Sequence, residues 1–227
     1  MADLVKTLRS LGKESAARTY RRHGATGEVL GVSYADLGKL RKKHQGDHAL
    51  ARELWKSGIH DARILAAQIA NPAEAKLKEL EAWLKDVEGY PLTDALAGFV
   101  SQTPFARACM TKWMKSKNEW VASAGWRLLT VEAMREGGAD SFFAPYLDII
   151  EASLHGAQNR VRHAMNNALI AIGGRGGALE AKALRAAKAI GKVEVDHGDT
   201  ACETPDAAAY IAKTKARKAR WPGKPSA

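Results

Sequence analysis

The sequence predicts an all-α protein built as an α-solenoid, a stack of helical pairs with a concave basic groove. Three observations predict it. Apolar residues recur at helical spacing through most of the 227-residue chain, and the alternating apolar–polar stretches that mark strands are missing. The breaks between helical segments are short and rich in Gly, Ser, Asn and Asp. The segments also pair into units of roughly 30–40 residues, the size of a stacking helical repeat, although no strict residue repeat is visible. An irregular globular helical bundle is the alternative architecture.

Residues 3–23 read as one or two amphipathic helices that end near His23-Gly24. Residues 24–31, GATGEVLG, hold three glycines and form a loop. Ser33 is an N-cap for a helix through His44, and Gly46-Asp47 starts another over 48–56. Ser57-Gly58 breaks the chain before a helix from 59 or 60 to 70. Asn71-Pro72 is expected to open a helix over about 73–87 that stops at Glu88-Gly89.

Pro91 cannot sit deep in a helix but suits its first turn, so a helix opens at Tyr90 and stops before Pro104. If Tyr90 caps it, Tyr90 and Asp94 lie one above the other on one face. An acid there also suits the positive end of the helix dipole, and a Tyr before a Pro also serves as a hydrophobic staple. Further helices cover 104–116, 119–135 behind an Asn118 cap, 141–154 with Pro145 in or near its first turn, 159–172, and 177–190. The pairs therefore fall at 33–57, 59–88, 90–116, 119–154 and 158–190. Residues 191–205 are polar and poorly helical, and Pro205 opens a short helix to Ala212. We expect a single helical-repeat domain over 1–212 and a frayed or disordered basic tail over 213–227.

Composition bounds the function. With 46% hydrophobic and 26% charged residues the chain matches a soluble globular protein. No apolar run approaches a membrane span, and Met1 to Glu14 lacks the apolar core of a signal peptide, so no membrane partner and a cytoplasmic location are expected. Two cysteines, Cys109 and Cys202, are too few for a disulfide framework. The net charge is +10, and six of the positive charges stand in the acid-free stretch 213–227. That surplus points to a polyanion, most simply nucleic acid, against the plainer reading of a solvated tail.

Trp55, Trp83 and Trp113 recur at spacings of 28 and 30 residues, which suits packing between repeats better than base stacking. Trp120 and Trp126 are six apart and cannot share a narrow face, so one of them is a candidate for the groove. Trp221 lies among basic residues, where it could stack on a base. Arg63, Arg127, Arg160 and Arg162 belong to first helices of the pairs and would make a groove lined by those helices basic. His60 and His163 read as structural or groove-lining. Asp196, His197, Asp199 and Cys202 are metal-ligand types but match no recognised spacing, and neither a metal nor a cofactor is expected. Gly173-Gly174-Arg175-Gly176-Gly177 reads as an inter-helix turn, with Arg175 able to meet a DNA phosphate.

The stretches ELWKSGIHDARILAAQI, TPFARACMTKWMKSKNEWVASAG and VRHAMNNALIAIGGR, with the Tyr90–Asp94 spacing, resemble the bacterial DNA alkylation repair proteins, the HEAT-like-repeat DNA glycosylases of the AlkD-like family. The resemblance covers about residues 30–190 and rests on order and spacing together. It implies a solenoid gripping duplex DNA and excising cationic N3- and N7-alkylated purines. A fixed carboxylate suits the oxocarbenium-like transition state of that reaction. Asp94 matches the family's catalytic carboxylate. Tyr90 stands where the family has Trp, Ser123 where an Arg is expected, and Asn167 where a second Trp is expected. Trp126 and Arg127, one turn after Ser123, are candidate substitutes. The expected DNA-binding set is thus Tyr90, Ser123, Trp126, Arg127, Arg63, Arg162, Asn167 and Arg175, on a monomer. Two other readings stay open: a catalytically inactive binder of duplex or branched DNA, and a helical-repeat scaffold for another protein.

Overall fold

A computed structural model describes residues 1–135 and 137–220. Among them there are thirteen helices and no strand: α1 (Ala2–Leu11), α2 (Glu14–Arg22), α3 (Tyr34–His44), α4 (His48–Lys56), α5 (His60–Ile69), α6 (Leu77–Lys85), α7 (Tyr90–Val100), α8 (Ala106–Trp113), α9 (Glu119–Met134), α10 (Asp140–Ser153), α11 (Asn159–Gly173), α12 (Gly177–Ile190) and α13 (Ala207–Arg220). Side-chain caps open three of them as the sequence predicts. Ser33 Oγ accepts from the Asp36 N–H, Asp47 from Leu50, and Asn118 from Trp120 and Val121.

The chain forms two compact units. The first comprises Met1–Lys112 and His197–Ala201, the second Trp113–Asp196 and the residues from Cys202 onward. In the first unit α3 packs on α5, α5 on α7, and α4 on α5. Leu37, Leu54, Ile64, Leu65, Leu80, Leu92, Leu96 and Phe99 are fully buried there, each side chain adding roughly 1.5–3 kcal/mol. Trp55 and Trp83 stack with ring centroids 4.3 Å apart and planes 4° from parallel, and the Trp55 indole N–H donates to Asp86 at 2.8 Å. The tryptophan recurrence is therefore packing between successive second helices at this step. In the second unit α9 packs on α11, α10 on α12, and α13 on both α11 and α12.

Two elements differ from expectation. The Asn71 Oδ1 accepts from the Ala73 N–H and its amide donates to Glu74, which closes a local turn. The helix then waits until Leu77. At the other end α13 runs on to Arg220, well past Ala212. Nothing in AAAYIAKTKARKAR breaks a helix, basic residues suit its C-terminal end, and Lys215 anchors it to Glu180 at 2.9 Å. Trp221 lies outside the described residues. Pro145 occupies the interior of α10.

Candidate functional site

The site of greatest chemical density lies in the first unit, where the end of α2, the loop 24–33 and the starts of α3, α5 and α7 meet. Asp61 makes it. This residue of the first α5 turn is fully buried, and its two carboxylate oxygens accept from the Leu30 and Val32 N–H groups, both at 2.7 Å. The loop is thereby folded onto α5, and the His60 N–H adds a bond to the Glu28 carbonyl at 2.9 Å. Tyr20 donates its hydroxyl to the Val32 carbonyl at 2.7 Å. Its ring meets Tyr34 edge-on at 6.2 Å and His60 at 5.7 Å. Burial, and secondarily the Asp61 charge, push the Tyr20 phenol up to about 12.

Tyr34 is 53% exposed over the whole residue. Burial raises its pKa first, followed by Tyr20, Asp94, Tyr90 and Asp61. Two tyrosines and two carboxylates thus act on one phenol. Burial holds the His60 imidazole below its ordinary value, partly offset by Asp61, so it is neutral at pH 7.

The α7 mouth is fixed by contact with α2. Gly89 is its N-cap, at φ 81° and ψ 151°, and Tyr90 is its first residue. A Cβ on Gly89 would stand 2.6 Å from the Ala25 nitrogen. Only glycine allows both the backbone angle and this approach. The Tyr90 N–H donates to the His23 carbonyl at 2.9 Å, and the Tyr90 and His23 rings lie 6.1 Å apart. Tyr90 is 37% exposed and Asp94 is half-buried.

A polar cavity of about 220 Å³ adjoins, lined by Thr26, His60, Arg63, Lys85, Asp86 and Glu88 among others. Arg63 is engaged within it. Its guanidinium pairs with the Asp86 carboxylate at 3.2 Å, donates to the Trp55 carbonyl at 3.3 Å and lies 5.8 Å from the Trp55 ring centre. Thr26 donates to Glu88.

The remaining expected residues lie in the second unit. Ser123 is 5% exposed and gives its hydroxyl to the Trp120 carbonyl at 3.0 Å. Trp126 is also buried, its ring edge-on to Tyr146 at 6.3 Å. That ring contact joins α9 to α10. Arg127, Asn167 and Trp120 are half-buried. Arg160 is buried, and its N–H donates to Glu119 at 2.6 Å. Arg162 donates to the Glu194, His155 and Ala157 carbonyls and so holds the loop after α12. Arg175 closes a clasp on the turn between α9 and α10, donating to the carbonyls of Ala133, Arg135, Gly137 and Gly138 and lying 4.3 Å over the Phe143 ring. Asp199 pairs with Arg22 at 2.9 Å, whereas the Asp196 N–H donates to Asn159, so these neighbours in sequence serve different units.

Tyr34 and Asp61 were not singled out in the sequence. Tyr34 follows an N-cap and Asp61 opens a helix, so each carries an ordinary local explanation; only the folded loop reveals the second role.

A model of the DNA alkylation repair enzyme family matches residues 4–218. The chain is 30% identical over 217 residues to an uncharacterised protein of Listeria innocua, covering 92% of this chain and 95% of the relative. It is 31% identical over 216 residues to an uncharacterised protein of Listeria monocytogenes, with the same coverage. A solved structure superposes with a TM-score of 0.86 at 28% identity, over 95% of this chain and 94% of its own. It is described as a new family of proteins related to the HEAT-like repeat DNA glycosylases with affinity for branched DNA structures. The fold is accordingly the HEAT-like helical repeat.

Proposed function

The chain belongs to the DNA alkylation repair enzyme family, and from that membership we propose that it is a DNA-binding protein that prefers branched DNA to a linear duplex. Ser123 carries this reading. At the position where the resemblance calls for an arginine, the side chain is buried and its hydroxyl is given to the helix backbone. The aromatic ring one turn on is buried as well. Serine supplies no cation at the first of these places, and the Trp126 ring, a candidate substitute, is packed against Tyr146. The +10 charge supports a polyanionic partner, and the similar solved structure has affinity for branched DNA. Arg63, Arg162 and Arg175 act in this reading as positioning residues, since each spends its guanidinium on protein oxygens.

One observation favours a second reading, hydrolysis of the N-glycosidic bond of cationic N3- or N7-alkylated purines. Asp94 stands half-buried on the first turns of α7, with Tyr34 and Tyr90 in electrostatic reach of one another. A carboxylate fixed there would stabilise positive charge developing on the sugar, and Tyr90 would offer its ring to the lesion. Two assays separate the readings: affinity for a four-way junction against a linear duplex, and release of 7-methylguanine from methylated DNA by wild type and Asp94→Asn. Tighter junction binding without release supports the first. Release that Asp94→Asn abolishes supports the second. Binding to neither DNA leaves the protein scaffold.

A further inference from the structure

Helix α13 offers two unlike faces. Ala207 and Ile211 are buried and Thr214 is half-buried, at the spacing of one helical face. That face docks on α11 and α12 so closely that a Cβ on Gly173 would come within 2.5 Å of Ile211 Cδ1, while the Asn166 amide donates to the Pro205 carbonyl at 2.9 Å. Asp206 caps the helix by accepting from the Ala209 N–H at 2.7 Å. Lys215, on one flank, is spent on Glu180.

The opposite flank carries Tyr210, Lys213 and Arg217, one stripe at i, i+3 and i+7, all exposed. The Lys213 ammonium lies 5.3 Å from the Tyr210 ring centre, a cation–π contact that holds the ring outward, and Tyr210 is 45% exposed. No acid occurs between residues 207 and 220. A docked helix with an exposed ring beside two cations is the combination that grips a phosphate backbone and stacks an unpaired base. A membrane surface fits poorly, because the apolar face needed to enter it is already buried against α11 and α12.

We propose that the Tyr210–Lys213–Arg217 stripe of α13 binds a second arm of branched DNA, separately from the surface around Tyr90 and Asp94 in the other unit. This rests on the branched-DNA reading. One protein engaging two arms gains affinity that a linear duplex cannot supply, which gives junction preference a physical source.

The test compares full-length wild type, Lys213→Ala/Arg217→Ala, Tyr210→Ala and the control Lys215→Ala on a four-way junction and on a linear duplex over a salt series. Thermal melting first establishes that each variant is folded. For the double variant the proposal expects junction affinity to fall roughly tenfold, with duplex affinity held within about twofold, and the slope of log affinity against log salt on the junction to flatten by about two. Tyr210→Ala weakens the junction alone, and Lys215→Ala changes neither. Unchanged junction binding by the folded double variant, or equal losses on both DNAs, overturns the proposal while leaving the branched-DNA reading standing. Wild type that binds neither DNA overturns both.

Discussion

The Tyr90 N–H donates to the His23 carbonyl across 2.9 Å, and their rings lie 6.1 Å apart at a 53° tilt, so the mouth of α7 is bolted to the end of α2. Asp94 inherits its position from that bond, because it sits one turn further along the same helix.

Gly89→Ala should break this junction. The added methyl meets the Ala25 backbone and the residue must hold φ 81°. We expect a loss of about 1–3 kcal/mol, read as a lower melting temperature, because the strain has no flexible side chain to absorb it. An unchanged melting temperature would show that the α7 mouth can shift freely.

His60 should make stability depend on pH. Its imidazole is buried and its folded pKa lies below the unfolded value. Below about pH 6.5 the unfolded chain therefore binds a proton that the folded chain resists, so this contribution is complete above that pH and is lost as pH falls. Denaturation at pH 7 and pH 5 should show a steeper loss for wild type than for His60→Gln. Equal losses would mean that His60 charges without penalty.

The stacked pair Trp55–Trp83 should be a principal support of the first unit. Trp55→Ala should cost about 3–5 kcal/mol in guanidinium denaturation. Trp55→Phe keeps a ring but loses the 2.8 Å bond to Asp86, for about 1–2 kcal/mol. Both should remove the near-ultraviolet circular dichroism of the parallel indoles; a retained band would contradict the stacking.

Arg175→Lys should separate structure from DNA contact. A lysine cannot reach the four carbonyls that the guanidinium joins, or lie flat on Phe143. Stability should fall by about 1–3 kcal/mol, with DNA affinity of the folded variant unchanged. Lost affinity at unchanged stability would return Arg175 to the DNA surface.

Much of the fold was legible because it is written in local chemistry. Ser33, Asp47 and Asn118 each cap the helix they were expected to cap, and the Trp55–Trp83 spacing marks where α4 and α6 touch. Asn71 misleads because the same side chain closes a turn as readily as it starts a helix. The length of α13 is consistent with its sequence, in which nothing breaks a helix, but its docking to α11 and α12 is reported by no local signal. At the site, the Tyr90–Asp94 spacing is visible in sequence, but Asp61 acquires its role from two amides some thirty residues away along the chain. The arginines show the converse: the carbonyl and carboxylate partners that Arg63, Arg162 and Arg175 take within the protein cannot be read from the sequence.

The central claim is that this family member recognises DNA structure rather than a damaged base. Competition of a labelled four-way junction by unlabelled linear duplex, with 7-methylguanine release followed in parallel, tests it most directly. The junction is expected to hold against excess duplex, with no base released. Equal competition by the duplex, with base release that disappears in Asp94→Asn, would contradict it.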